Sequence, residues 1–248
     1  MLTHHKLKVY NKALVVGAGA GQLSATWGRG HAITEQYRRA AESVVLNIAE
    51  GARLKSCADK TRTLDYAIGS TLECAACLDL ARIKGRLSAE AATVEKKQIL
   101  EITRMLIGLR KSWQQWSLHE EPISEEAEPS STENPGNEFL FHHESLDVYQ
   151  VSLEFIRWFV ELPGAGDLAH RWCREVDKAA TSVVLNVAEG NGRYSELDHR
   201  RFLEIAASSA VKAASYLDLY QQTLLPETIE TTNGKELLNR IVAMIDAF

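Results

Sequence analysis

In "LDVYQVSLEFIRWFVELP", residues 146–163, apolar side chains recur at Leu146, Tyr149, Leu153, Ile156, Phe159 and Val160, and the run stops at Pro163. Spacing of three and four residues predicts an amphipathic helix ended by the proline. "AHRWCREVDKAATSVVLNVAEG" (169–190) predicts a second helix, closed by Gly190 as a left-handed terminal residue. "SELDHRRFLEIAASSAVKAASYLDLYQQTLL" (195–225) predicts a long third helix with Ser195 as its N-cap, and "NGKELLNRIVAMIDAF" (233–248) a fourth. The two-residue alternation of a half-buried strand is missing throughout.

The same pattern occurs earlier in the chain. "AAESVVLNIAEG" (40–51) returns as "AATSVVLNVAEG" (179–190), an offset of 139 residues. Without a gap, that offset also pairs Leu7, Val9 and Tyr10 with Leu146, Val148 and Tyr149. It further pairs Asp59, Arg62 and Leu64 with Asp198, Arg201 and Leu203, and "LDL" at 78–80 with "LDL" at 217–219. Agreement over several separated segments implies a tandem duplication. In the first copy the last helix starts near Ser88 and is predicted to run to Trp116. Four amphipathic helices with short connections make an antiparallel bundle, so the predicted fold is all-α: two tandem four-helix bundles. The expected division is residues 1–118, a linker over 119–144, and residues 145–248. The linker's core, "HEEPISEEAEPSSTENPGNE", is rich in Ser, Pro and Glu and holds no Lys or Arg, a composition that predicts an acidic, flexible connection.

One stretch competes with this picture. "ALVVGAGAGQL" (13–23) has the glycines of a dinucleotide-binding loop. The fingerprint requires a third glycine three positions after the second, and Gln22 or Ser24 stands there. Under the repeat, Gly17, Gly19 and Gly21 align with Ile156, Trp158 and Val160 inside a helix. The expectation is therefore a thin, fraying first helix with no cofactor. Gly17 and Gly21, sharing one face, would admit the close approach of a partner helix. Trp113 and Trp116, near the end of the longer fourth helix, predict an apolar docking stripe.

The shared "SVVLN[IV]AEG" segment is the most specific signal. Ser43, Asn47 and Glu50 lie on one helical stripe, as do Ser182, Asn186 and Glu189. Val44, Leu46 and Ile48 fill the other faces, so both segments are expected to be covered on several sides. Buried polar groups need partners. Arg62 and Arg201 at the start of the third helices are the candidates for the glutamates, completing a structural polar network with no catalytic role. No Glu-x-x-His pair of the kind found in di-iron bundles is present, and Cys74-x-x-Cys77 lacks a second pair, so no metal is expected. Cys57 and Cys173 complete four cysteines without framework spacing, which fits a reducing cytoplasm. His4 and His5, like His142 and His143, read as exposed residues ahead of each first helix. The N-terminus has no apolar stretch behind its charges, and no run approaches a membrane span, so neither a secretory signal nor a membrane is expected.

On "LDVYQVSLEF", "AATSVVLNVAEGNGRYSELDHRRFLEIAASSA" and "LDL", the sequence resembles the small four-helix-bundle proteins encoded in intervening sequences of bacterial 23S rRNA genes. A relative of these is the accessory variability protein of diversity-generating retroelements. The resemblance covers nearly all of the second copy and the first copy outside its glycine-bearing helix. It implies a bundle without known catalysis that assembles into homo-oligomeric rings, pentameric for some members; no small-molecule substrate is expected. The retroelement relative works with a reverse transcriptase and binds nucleic acid through basic surface. This chain departs from the family in carrying two modules. Such proteins tend to have a glutamate after the serine of helix three; here the first copy has Glu73 and the second Lys212.

Charge separates the halves. The net charge of −5 divides into +8 for residues 1–111, −8 for 112–145 and −5 for 146–248. Arg38, Arg39, Arg53, Lys55, Lys60 and Arg62 cluster around the second helix and the turn after it, which makes the first copy a candidate contact for RNA or DNA. The sequence thus points to an assembly or adaptor protein. A nucleic-acid-binding accessory factor working with a reverse transcriptase or structured RNA is the alternative.

Overall fold

A computed structural model describes residues 3–28, 32–118, 139–165, 170–223 and 231–248. The first bundle comprises α1 (Lys8–Ala25), α2 (Ala32–Arg53), α3 (Cys57–Ile83) and α4 (Ala89–Leu118). The second comprises α5 (Asp147–Glu161), α6 (Arg171–Asn191), α7 (Glu196–Thr223) and α8 (Thr232–Asp246). A short 3-10 turn precedes each, Thr3–Lys6 and His142–Ser145. Among the described residues there is no strand, and no helix is long and apolar enough to cross a membrane.

In each bundle successive helices pack as neighbours and the first closes on the fourth. The cores follow the sequence periodicity. Val9, Ala13, Val16 and Ala20 line α1, while Ile33, Tyr37, Val44 and Ile48 line α2. Trp27, just past α1, is fully buried with its ring centroid 5.0 Å from that of Tyr37. The Ser56 and Ser195 hydroxyls accept from the amides of Asp59 and Asp198, each at 3.4 Å, at the starts of α3 and α7. Ser88 accepts from the Ala91 amide at 3.2 Å ahead of α4. Gly85, at φ +66°, reverses the chain after α3 in a conformation that a side chain would disfavour.

Several expectations are corrected. The glycine-bearing first helix is continuous over eighteen residues. A methyl group on Gly17 would sit 3.3 Å from Val45 Cγ2, so this glycine does bring α1 close to α2. Among the described residues nothing packs against Gly19 or Gly21, which face open space. Gly19→Ala and Gly21→Ala are expected to raise stability by up to about 1 kcal/mol each, with less gain from Gly17→Ala; thermal unfolding of the three variants checks the order. Gly190 does not end α6 in the left-handed region, since the helix runs on to Asn191. Its missing side chain admits α7 instead, because a Cβ there would fall 2.9 Å from that of Phe202. Gly51 likewise lies inside α2, against Thr63 and Trp113.

The linker expected over 119–144 lies outside the described residues as far as 138. The packed chain resumes ahead of the expected boundary: Phe141, His143 and Glu144 are buried. His143, expected on the surface, is instead enclosed between Phe141 and Tyr149, its ring centroid 4.8 Å from that of Tyr149. Burial, with Lys96 and His142 nearby, pushes its pKa down to about 3, so the imidazole is neutral.

Candidate functional site

The Ser-Asn stripe builds the same joint twice. Asn47 Nδ2 donates to the Ser43 carbonyl at 2.8 Å and to Ser43 Oγ at 3.0 Å, and Ser43 shares a 2.8 Å hydrogen bond with Ser70 on α3. Asn186 reaches Ser182 at 2.7 and 3.1 Å, and Ser182 meets Ser209 on α7 at 2.9 Å. Neither arginine expected to complete this network does so. Glu189 pairs with Arg193, four residues on and just past the end of α6. Arg201 and Arg62 are exposed. Glu50 is also exposed, and the residue at the place of Arg193 is Leu54.

The two bundles dock, and they do so through unlike faces: α3 of the first lies along α6 of the second, with α2 and α5 touching at the margins. Lys84 Nζ, past the end of α3, meets Asp177 Oδ1 at 2.5 Å and Thr181 Oγ1 at 3.1 Å, with both charged groups buried. Lys96 Nζ binds Asp79 Oδ1 at 2.9 Å within the first bundle and Glu144 Oε1 at 2.7 Å from the second. The Tyr149 hydroxyl donates to Asp79 Oδ2 at 2.9 Å. At the other end the Arg193 guanidinium lies 4.9 Å over the Tyr66 ring, and Arg110, paired with Asp65, stacks 3.7 Å over Tyr194. Gly69 and Gly192 let the backbones touch: a Cβ on Gly192 would lie 2.9 Å from Gly69 Cα.

Between these ends Glu73 projects toward the stripe of the second copy, into a cleft of about 470 Å³ that Ser182, Asn186 and Glu189 also line. Burial, then the Glu189 carboxylate, push the Glu73 pKa up to about 8, against the pull of Arg39 on α2 and Arg193 just past α6. Glu35 from α2 and Lys178 from α6 also line the cleft. The folded chain therefore holds a proton that the unfolded chain releases near 4.5. Stability from this site is full below that pH and is lost as the pH rises through about 8, by at most about 1.4 kcal/mol per pH unit. Denaturation midpoints are expected to fall across that window in the native chain and to lose this component in Glu73→Gln.

Docking makes equivalent helices unequal. On α7 the buried residues form one stripe, Leu203, Ala206, Ala210, Ala213, Leu217 and Tyr220. Their counterparts on α3 are joined by residues buried around nearly its whole girth. Leu72 is 7% exposed and Leu80 0%, whereas their equivalents Val211 and Leu219 are 55% and 42% exposed. On the facing side Leu185 is 5% exposed and its equivalent Leu46 67%. Leu46, expected to be covered, is not.

The remaining candidates are dispersed. Arg38 pairs with Glu35 at 2.7 Å and approaches Glu42 at 3.9 Å. Lys60 lies 5.4 Å over the Trp113 ring, and Cys57 Sγ donates to the Trp113 carbonyl at 3.2 Å. Trp113 thus makes contacts within its own bundle and is half-buried; the Trp116 side chain lies outside the described residues. Arg39, Arg53 and Lys55 are exposed. Cys74 and Cys77 are core residues whose thiol pKa values burial drives up. The sequence reading missed Asp79, Lys84, Lys96, Glu144, Asp177 and Arg193. One signal was available: aligned positions that change character between copies, as Arg193 against Leu54 or Gly192 against Arg53.

A family model described as 23S rRNA-intervening sequence protein matches residues 5–108 and again 144–247, two ranges displaced by the same 139 residues as the internal repeat. No curated protein and no solved structure matches the chain.

Proposed function

The chain belongs to the family of 23S rRNA-intervening sequence proteins, and from that premise we propose that it is a non-catalytic assembly protein that self-associates through helix faces. The observation that carries this reading is the unlike pairing of α3 with α6 inside the chain. A contact between different faces of a repeated unit leaves one copy of each face unused, and such contacts extend into rings or filaments. Here, among the described residues, the faces without a counterpart are α2, with Leu46, and α7, with Val211. Exposed apolar residues at positions that are buried in the sister copy mark surfaces awaiting cover.

Light scattering across a concentration series tests this. The native chain is expected to exceed the single-chain mass of 27.6 kDa, and Leu46→Asp to return it toward that mass with helix content unchanged. A native chain that stays at single-chain mass at every concentration overturns the reading.

The alternative, RNA or DNA contact by the first bundle, retains Arg39, Arg53, Lys55 and Arg62 as exposed cations once Arg38 and Lys60 are engaged internally. Salt-dependent retention of the full chain on nucleic acid, lost on charge reversal of Lys55 and Arg62, is its expected signature. Absence of retention at low salt removes it.

A further inference from the structure

We infer that Lys212 pairs with Glu50 of another copy of this chain, and that this pair, set against Glu73 facing Glu189 within the chain, makes the bundles alternate in a fixed order. The inference rests on the self-association proposed above and names the contact that directs it. Glu73 on α3 lies in the cleft with Glu189 of α6. Carried through the repeat, the same place between two chains sets Lys212 of α7 opposite Glu50 of α2. Both residues are exposed, and no ion pair joins either to a described residue.

The cation supply differs in a matching way. Inside the chain Glu189 receives Arg193, which also donates to the Asp65 carbonyl at 3.4 Å and stacks over Tyr66. Glu50 has Leu54 in that position, and among the described residues no ion pair joins it to the exposed Arg53 of its own helix, which leaves the approaching helix to bring the paired cation. Lys212 does so. One wrong pairing is disfavoured: α3 against α2 of another chain would set the Glu73 carboxyl against Glu50 without the Arg193 that Glu189 has. Like charges placed together at an interface suppress incorrect partners.

A second contact lies beside the first. Lys235 and Asp218, 2.5 Å apart on the second bundle, repeat the Lys96–Asp79 pair. Within the chain that pair receives Glu144 and Tyr149; between chains the aligned residues are the exposed His5 and the half-buried Tyr10 of the first copy. At the far end the contact differs in shape. Ser208 and Arg53 replace Gly69 and Gly192, so the backbones cannot touch there and the chain-to-chain junction must open relative to the internal one.

The test is a charge swap in the full-length chain, read by sedimentation at low and moderate salt. Lys212→Glu and Glu50→Lys are each expected to weaken self-association by about tenfold or more, and the doubly substituted chain Glu50→Lys/Lys212→Glu to recover it. All three keep the native helical circular dichroism, since both sites are exposed. Self-association that survives both single substitutions, or that the double substitution fails to restore, overturns the pairing while leaving assembly intact. A native chain that never associates overturns the reading beneath it.

Discussion

Lys96→Met is expected to destabilise the protein by about 3–5 kcal/mol, the cost of leaving buried charge uncompensated. Lys96 is buried and is the cation shared by Asp79 of α3 and Glu144 of the second bundle. Removing it leaves two carboxylates facing each other beside the Tyr149 hydroxyl, with the buried and neutral His143 unable to replace the charge. The loss falls on the packing of α4 against α3 and on the docking of the bundles together. Chemical denaturation should show a lower midpoint, and hydrogen exchange should show faster opening near residues 141–149. Tyr149→Phe, which removes only one hydrogen bond to Asp79, should cost about 1 kcal/mol. Comparable losses in the two variants would mean that Lys96 is not the keystone of this joint.

Gly192→Leu is expected to separate the bundles without unfolding them. Gly192 has φ −82°, so a side chain there meets no conformational penalty. The obstacle is the Gly69 backbone and Leu72, which a Cβ would approach to 2.9 and 3.0 Å. A colliding side-chain tip can rotate away, whereas backbone on a packed helix cannot, so the strain exceeds the usual ~1–3 kcal/mol of overpacking. The helices must part, and with them Arg193 leaves Tyr66, Arg110 leaves Tyr194, and Lys84 leaves Asp177. Far-ultraviolet circular dichroism should change little, while exchange protection on the facing sides of α3 and α6 is lost. Full protection in this variant would contradict the close approach of the two glycines.

Much of this architecture was legible in the sequence because its causes are local. Periodic apolar positions, Ser195 as a cap, and Pro163 as a stop set the helices, and the repeat set their number. The departures have local explanations too: Gly51 and Gly190 are bare because the third helix of each bundle passes over them. The docking was not legible. Leu46 and Leu185 occupy nearly identical segments yet differ in exposure, because what covers Leu185 comes from the other copy. Likewise Arg201 looked better placed than Arg193 for Glu189. Position along the chain does not reveal that Arg193, one turn away, is pinned by Tyr66 and Asp65 of the opposite bundle. Ion pairs such as Lys84 with Asp177 join residues 93 positions apart and leave no periodic trace.

The most direct test of the account mixes two chains, each blocked on one side: Leu46→Asp, which disables the α2 face, and Val211→Asp, which disables the α7 face. Each alone is expected to remain a single chain by native mass spectrometry. Mixed in equal amounts, they should form a one-to-one pair and stop there, since one working face of each kind remains between them. A mixture that stays monomeric while the native chain assembles, or a blocked chain that still pairs with itself, would contradict assembly through unlike faces.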